Sequence, residues 1–222
     1  MKLDNVGNNK WLLHGIKENR ESISDGDLFV KNLSGTPSLK HPEYTPEHVI
    51  LLFIEDDELR YILDNELHMF CKEVEYTKKD ENGDETDKVI KHQYKFKAYP
   101  GNVMRFDPIT REKKPLLDAN GKPRETPVVF LKERKLDGTF RNERLQLNDI
   151  GRIDHTAIAD MAIKFHLFPN SYHPGLNIAA IDEIWAIADQ DAKVLNEQRI
   201  RERYFNNDDD SDRVTEEEAT PF

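Results

Sequence analysis

The sequence predicts an α+β chain in which short strands dominate, with one amphipathic helix inserted among them, a second helix after them and an acidic tail beyond. Three observations carry this. Residues 91–99 alternate strictly, with Tyr94, Phe96 and Ala98 on one side and Lys95, Lys97 and Tyr99 on the other, the period of a half-buried strand. Between Asp57 and Val74, the residues Leu59, Ile62, Leu63, Leu67, Phe70 and Val74 recur at three- and four-residue spacing, the stripe of an amphipathic helix near residues 57–75. From Asn206 onward acids crowd together and apolar residues become sparse, a composition that buries no core.

Taken in order, residues 1–22 are polar around one anchoring aromatic, Trp11, and read as an N-terminal arm. Asp27 to Leu33 alternates Leu28 and Val30 with polar neighbours and is a strand, ended by Ser34-Gly35-Thr36-Pro37. Residues 38–46 are a loop. Val49 to Ile54 fits a strand by its β-branched content, yet Thr45-Pro46-Glu47 before it also fits a helix start. The run from Lys78 to Asp87 holds Asn82-Gly83 and reads as a mobile tip, and residues 107–127 as a long excursion between strands. Val128 to Leu131 and Phe140 to Leu147 bracket Asp137-Gly138 as a hairpin. Ile158 to Phe168 alternates as a strand does, although Ala157 to Ala162 alone would pass as helix, and Ile178 to Ile187 has the same ambiguity; two strands joined by the loop 170–175 fit the spacing. Asp191 to Phe205 has strong helix formers and no Gly or Pro. The expected organisation is an arm (1–22), a main domain (23–188), a C-terminal helix (189–205) and a disordered acidic tail (206–222).

Several classes of function find no support. The longest apolar run, Val49 to Ile54, falls far short of the ~20 residues that span a bilayer, and the first residues show no charged stretch followed by an apolar one, so the expected compartment is the cytoplasm, or the host cytoplasm if the chain is viral. Cys71 is the sole cysteine, which precludes an internal disulfide and a multi-thiolate zinc site. The eight histidines are scattered. His166 and His173 flank a loop and read as structural, and Asp56-Asp57 read as charges at a helix N-terminus. There is no glycine-rich phosphate loop or nucleophile elbow, so neither an enzyme nor a cofactor or metal site is expected.

Charge is more informative. The net charge of −11 conceals a segregation: Lys88 to Arg144 holds 15 Lys and Arg against 7 Asp and Glu, a net of +8, whereas 206–222 holds 1 against 7, a net of −6. A basic island between acidic flanks implies a nucleic-acid surface with an acidic arm. Sequence-independent binding of a single strand needs cations that track phosphates and rings on which bases stack. Lys95, Lys97 and Tyr99 supply both on one strand face, and Arg105 with Phe106 repeats the combination at the edge of the excursion. Lys113, Lys114, Lys122, Arg124, Lys132, Arg134, Lys135, Arg141 and Arg144 add charge, with Phe140 a further ring.

The run Tyr94-Lys95-Phe96-Lys97-Ala98-Tyr99, then Val128-Val129-Phe130-Leu131, Ile150-Gly151, Ile163 to Pro169, Gly175 and Ile181 to Ile187 resemble, in order and spacing, the second half of phage-type single-stranded DNA-binding proteins. Asp154-His155-Thr156 stands where that family often has a Gly-Ser turn. The resemblance implies a five-stranded OB-type β-barrel carrying the inserted helix. The acidic segment Asp208, Asp209, Asp210, Asp212, Glu216, Glu217, Glu218, closed by Pro221-Phe222, resembles the tip of bacterial single-stranded DNA-binding proteins, with Ala219-Thr220 a departure. It implies a partner handle in which the terminal ring enters an apolar pocket and the acids steer its approach.

The expectation is thus a non-enzymatic protein that coats transient single strands in replication, recombination or repair and recruits replication proteins (polymerase, helicase or primase) through its tail. Homodimerisation stays open and no membrane partner is expected. The rival expectation is a phage virion component, a connector or tail protein whose C-terminal arm inserts into a neighbour.

Overall fold

The computed structural model describes residues 1–18, 27–37, 42–43, 45–79, 85–134 and 139–188, without the side chains of 78–79, 85–87 and 134. The expected C-terminal helix, the acidic tail and Lys135 lie outside the described residues.

Strands dominate, with little helix. The N-terminal stretch is a hairpin, β1 (Lys2–Gly7) and β2 (Lys10–Ile16), turned by Asn8 and Asn9 at φ of 54° and 55°. Two successive left-handed residues are what a tight hairpin demands, and asparagine tolerates them. The expected arm is therefore part of the sheet, with Leu13 and Ile16 fully buried. β3 (Leu28–Asn32) pairs antiparallel with β4 (His48–Phe53), which resolves the ambiguous 49–54 run as strand.

The helix expected over 57–75 is shorter. α1 (Asp57–Tyr61) is capped by Asp56, whose carboxylate accepts from the Leu59 N–H at 2.8 Å, and a π-helical turn (Ile62–Glu66) follows. His68 at φ 50° then breaks the helix, and the chain enters β5 (Cys71–Lys79), paired with the long β6 (Glu85–Ala98). Phe70 and Val74 matched the helical spacing, but the backbone of residues 71–79 finds its hydrogen bonds in the β6 ladder.

The excursion expected over 107–127 begins earlier, at Gly101, and carries β7 (Gly101–Asn102), β8 (Met104–Phe106), β9 (Lys113–Pro115) and β10 (Glu125–Thr126), paired as β7 with β10 and β8 with β9. β11 (Val128–Arg134) and β12 (Phe140–Leu145) form the expected hairpin. A 3-10 helix (Leu147–His155) leads to β13 (Ile158–Pro169) and β14 (Asn177–Ala188), both strands as expected. Gly151 lets that helix lie on the end of β3, since a Cβ there would stand 2.7 Å from the Ser34 Cβ. Asp154 fastens the contact by accepting from the N–H groups of Leu33 and Ser34 at 2.7 and 2.8 Å.

Ten strands make one sheet in the order β1-β2-β13-β14-β6-β4-β3, with β5 also on β6, β11 also on β14, and β12 beyond β11. The described strands do not close into a barrel. β14 is the spine: it pairs with β13 over its whole length, while its other edge runs parallel to β6 at Ala179 and Ala180 and parallel to β11 from Glu183 to Ala188. The core lies on one side of these strands, where Phe96 and Phe165 meet edge to face with centroids 5.1 Å apart. Among the described residues no helix is long and apolar enough to cross a membrane.

A polar contact in an apolar setting ties the inserted helix to β6. Fully buried Tyr94 donates its hydroxyl to Asp64 Oδ1 at 2.8 Å. Burial, and then this bond, push its phenol far above the ordinary value, so the proton stays on the tyrosine. Tyr94→Phe is expected to lower stability by about 1–3 kcal/mol, because a half-buried carboxylate loses its donor. A lower urea midpoint at unchanged slope would show this, and an unmoved midpoint would remove the bond from the fold's energetics.

Candidate nucleic-acid interface

The alternation along β6 sends its side chains where the sequence places them: Tyr94, Phe96 and Ala98 are buried, Lys95 and Tyr99 are exposed and Lys97 is half-buried. Tyr99 leans on Phe168, ring centroids 5.8 Å apart. The sequence gives no hint of Glu47, which enters from the turn before β4 and takes both lysines, Lys95 Nζ at 2.8 Å and Lys97 Nζ at 2.5 Å. Burial raises the Glu47 carboxyl, but hydrogen bonds from the two ammonium groups outweigh it and hold its pKa below the usual value. At neutral pH one fixed anion is therefore shared between two cations.

These lysines form one wall of a groove of about 570 Å³. Phe70, Tyr172 and His173 also line it, with Lys72 on β5 opposite Gln93 of β6 and Ile178 at the start of β14. The left-handed turn at His68 swings Phe70 out to solvent, where its ring stacks on His173 at 5.3 Å with the planes 8° apart. Tyr172 is 87% exposed. Both loops are anchored to the sheet. Asn177 donates its side-chain amide to the Leu67 carbonyl at 2.8 Å and its backbone N–H to that of His68 at 2.7 Å. Asn170 Oδ1 accepts from the N–H groups of Tyr172 and His173 at 2.9 and 3.3 Å. The groove thus combines the ammonium groups of Lys72, Lys95 and Lys97 with exposed rings on fixed supports, and among the described residues Glu47 is the one carboxylate that lines it.

The remaining candidates are not gathered there. Arg105 and Phe106 on β8 face Lys114 and Lys113 on β9 in the excursion, where Lys114 also pairs with Asp107 at 3.3 Å and Glu112 at 3.8 Å. Lys122 and Arg124 lie in the same excursion. Lys132, Phe140, Arg141 and Arg144 sit on the β11/β12 hairpin, Lys132 with its ammonium 4.3 Å from the Phe140 centroid and Arg141 paired with Glu143 at 3.3 Å. The side chain of Arg134 lies outside the described residues, as do Lys135 and the tail residues Asp208 to Phe222. The basic island is therefore divided among the groove, the excursion and the hairpin, the last two near enough that, beside the Lys122 N–H bond, the Arg144 guanidinium helps to hold the Asp118 carboxyl below its ordinary value.

Phe70, Lys72, Tyr172 and His173 were missed by sequence reasoning. Phe70 and Lys72 sat inside the apparent helix, Tyr172 in a loop read only as a connection, and His173 was read as structural, although a Tyr-His pair next to Pro174-Gly175 was the available signal. His166 sets its Nδ1 2.9 Å from Asp182 Oδ1.

No family model, curated protein or solved structure matches the chain.

Proposed function

We propose that this protein binds single-stranded DNA without sequence preference, seated in the groove formed by Lys72, Lys95, Lys97, Phe70, Tyr172 and His173. The observation that carries the reading is the meeting of three ammonium groups with accessible rings in one open groove, since cations that follow the backbone and faces that accept any base are what sequence-independent strand binding requires. The resemblance to phage-type single-stranded DNA-binding proteins supports the same reading. On it, the strand-rich sheet with a short helix between β4 and β5 is an OB-type fold, the protein is not an enzyme and works in the cytoplasm of a host, and it coats transient strands in replication, recombination or repair. The acidic segment 206–222 then recruits replication proteins.

The test is electrophoretic. The protein is expected to retard labelled poly-dT at concentrations that leave a duplex of equal length free, with affinity falling as salt rises. Equal affinity for duplex, or none for either, would overturn the reading.

One observation favours the rival, a virion assembly protein. The excursion exposes Met104, Phe106, Ile109 and Leu117, with Ile109 91% exposed, and apolar residues held out on an arm suit insertion into a neighbouring subunit. Failure to bind poly-dT together with concentration-dependent assembly would favour it.

A further inference from the structure

The β11/β12 hairpin and the C-terminal half of β14 build a second ring-and-cation surface. Phe130, Trp185 and Arg144 stand in one row across three strands, Phe130 opposite Arg144 on β12 and opposite Trp185 on β14. The Phe130 and Trp185 rings are nearly parallel, 10° between planes and 6.1 Å between centroids, and both reach solvent. In the next outward row Lys132 lies beside Ile187, its ammonium held against the Phe140 ring. Phe130, Lys132, Arg144, Trp185 and Ile187 line, with Glu143, a hollow of about 570 Å³ that shares no residue with the groove.

The two surfaces lie on the same face of the sheet. β13 shows this, because Ala162, Lys164 and His166 alternate along it to one side: Ala162 pairs with Trp185, while His166 pairs with Ala180, which in turn pairs with Lys97. Four residues of strand separate those rows, about 13 Å at ~3.3 Å per residue. Between them, Glu183 meets Lys164 at 2.8 Å, and Asp182 meets His166 at 2.9 Å through Oδ1 and stands 3.3 Å from the Lys10 ammonium through Oδ2, so among the described residues both acids of this stretch of β14 have a cation beside them.

We propose that Phe130, Trp185, Arg144 and Lys132 form a second station for the same single strand, so that a sufficiently long strand crosses the β13/β14 face and occupies groove and platform together. The inference rests on the reading of the groove given above. Charge and geometry both select an unpaired strand. Stacked bases are spaced ~3.4 Å apart. Rings 6.1 Å apart therefore receive successive bases only when those bases have separated from one another. At that same ~3.4 Å spacing, ~13 Å corresponds to about four nucleotides, fewer if the strand is stretched. Groove, crossing and platform together fit the ~4–16 nucleotides that single-strand-binding folds cover. Joining two weak stations by one strand raises affinity without any new contact, so the second station shows in length dependence.

The experiment uses the full chain with dT3 and dT12, following both affinity and tryptophan fluorescence. dT12 is expected to quench fluorescence in the wild type, and W185F should lose that quenching, which assigns it to Trp185 rather than Trp11. F130A/R144A should weaken dT12 at least tenfold while leaving dT3, which the groove alone accommodates, within twofold. K132E/R144E, which alters only the outward charges of the hairpin, should do the same and guards against a folding defect in the first variant. If dT12 binds without quenching Trp185 and both double variants keep wild-type affinity, the platform is not a station while the groove reading stands. If wild type binds neither oligonucleotide, both fall together.

Discussion

Replacing Lys95 and Lys97 together by glutamate is expected to weaken poly-dT binding by about two orders of magnitude at low salt and to flatten its salt dependence. Each phosphate contact contributes about 0.7 to the log–log slope for a single strand, so two lost contacts remove about 1.4. Between 1 M and 50 mM salt that slope corresponds to roughly 60-fold in affinity, and reversed charge adds repulsion. The reciprocal variant runs the other way. Glu47 holds both ammonium groups and is ionised at neutral pH, so it competes with phosphate for them. Glu47→Gln keeps the shape and removes the anion. Regaining about one net contact should steepen the slope by ~0.7 and tighten binding up to about eightfold at 50 mM salt. Fluorescence anisotropy over a salt series reads both. Affinities within twofold of wild type for the lysine pair would move the strand off the groove, and a weaker Glu47→Gln would mean the carboxylate positions the lysines instead of masking them.

Phe96→Ala is expected to cost about 3–5 kcal/mol, a large share of the 5–15 kcal/mol that holds a domain together. Phe96 is fully buried between Lys95 and Lys97 in sequence, and its ring is the edge-to-face partner of Phe165 on the far side of the β14 spine. Truncation would leave a cavity where β6, β13 and β14 meet, which those strands close only partly. Urea unfolding measures the loss. A cost below about 1 kcal/mol would mean that this junction is not the packed centre of the sheet.

How much of this was legible depended on the range of the interactions concerned. The 91–99 strand was read correctly because a two-residue period over nine residues has no helical counterpart. The 57–75 helix was overextended because Leu67, Phe70 and Val74 happen to satisfy a helical spacing, and nothing local reveals that His68 will turn left-handed or that β6 will offer 71–79 a ladder. Residues 1–22 read as an arm because β13, the strand that joins the β1/β2 hairpin to the rest of the sheet, is remote in sequence. The site divided in the same way. Alternation exposed Lys95, Lys97 and Tyr99, but Glu47, Phe70 and His173 enter the groove only through folding contacts. A count of positive charge from Lys88 to Arg144 carries no information on which cations share a surface.

The seam between the N-terminal hairpin and β13 also bears on how the chain reaches its folded state. Leu13 pairs with Ile163, and β14, which binds β6, β11 and β13, is the last described strand in sequence order. Such pairings give a high contact order, in which loop-closure entropy is spent before the contacts that repay it can form. On the ribosome, the apolar faces of β2, β4 and β6 emerge long before β14 exists to join them. Slow, late collapse and a period of exposure to aggregation while those strands wait are built into this topology.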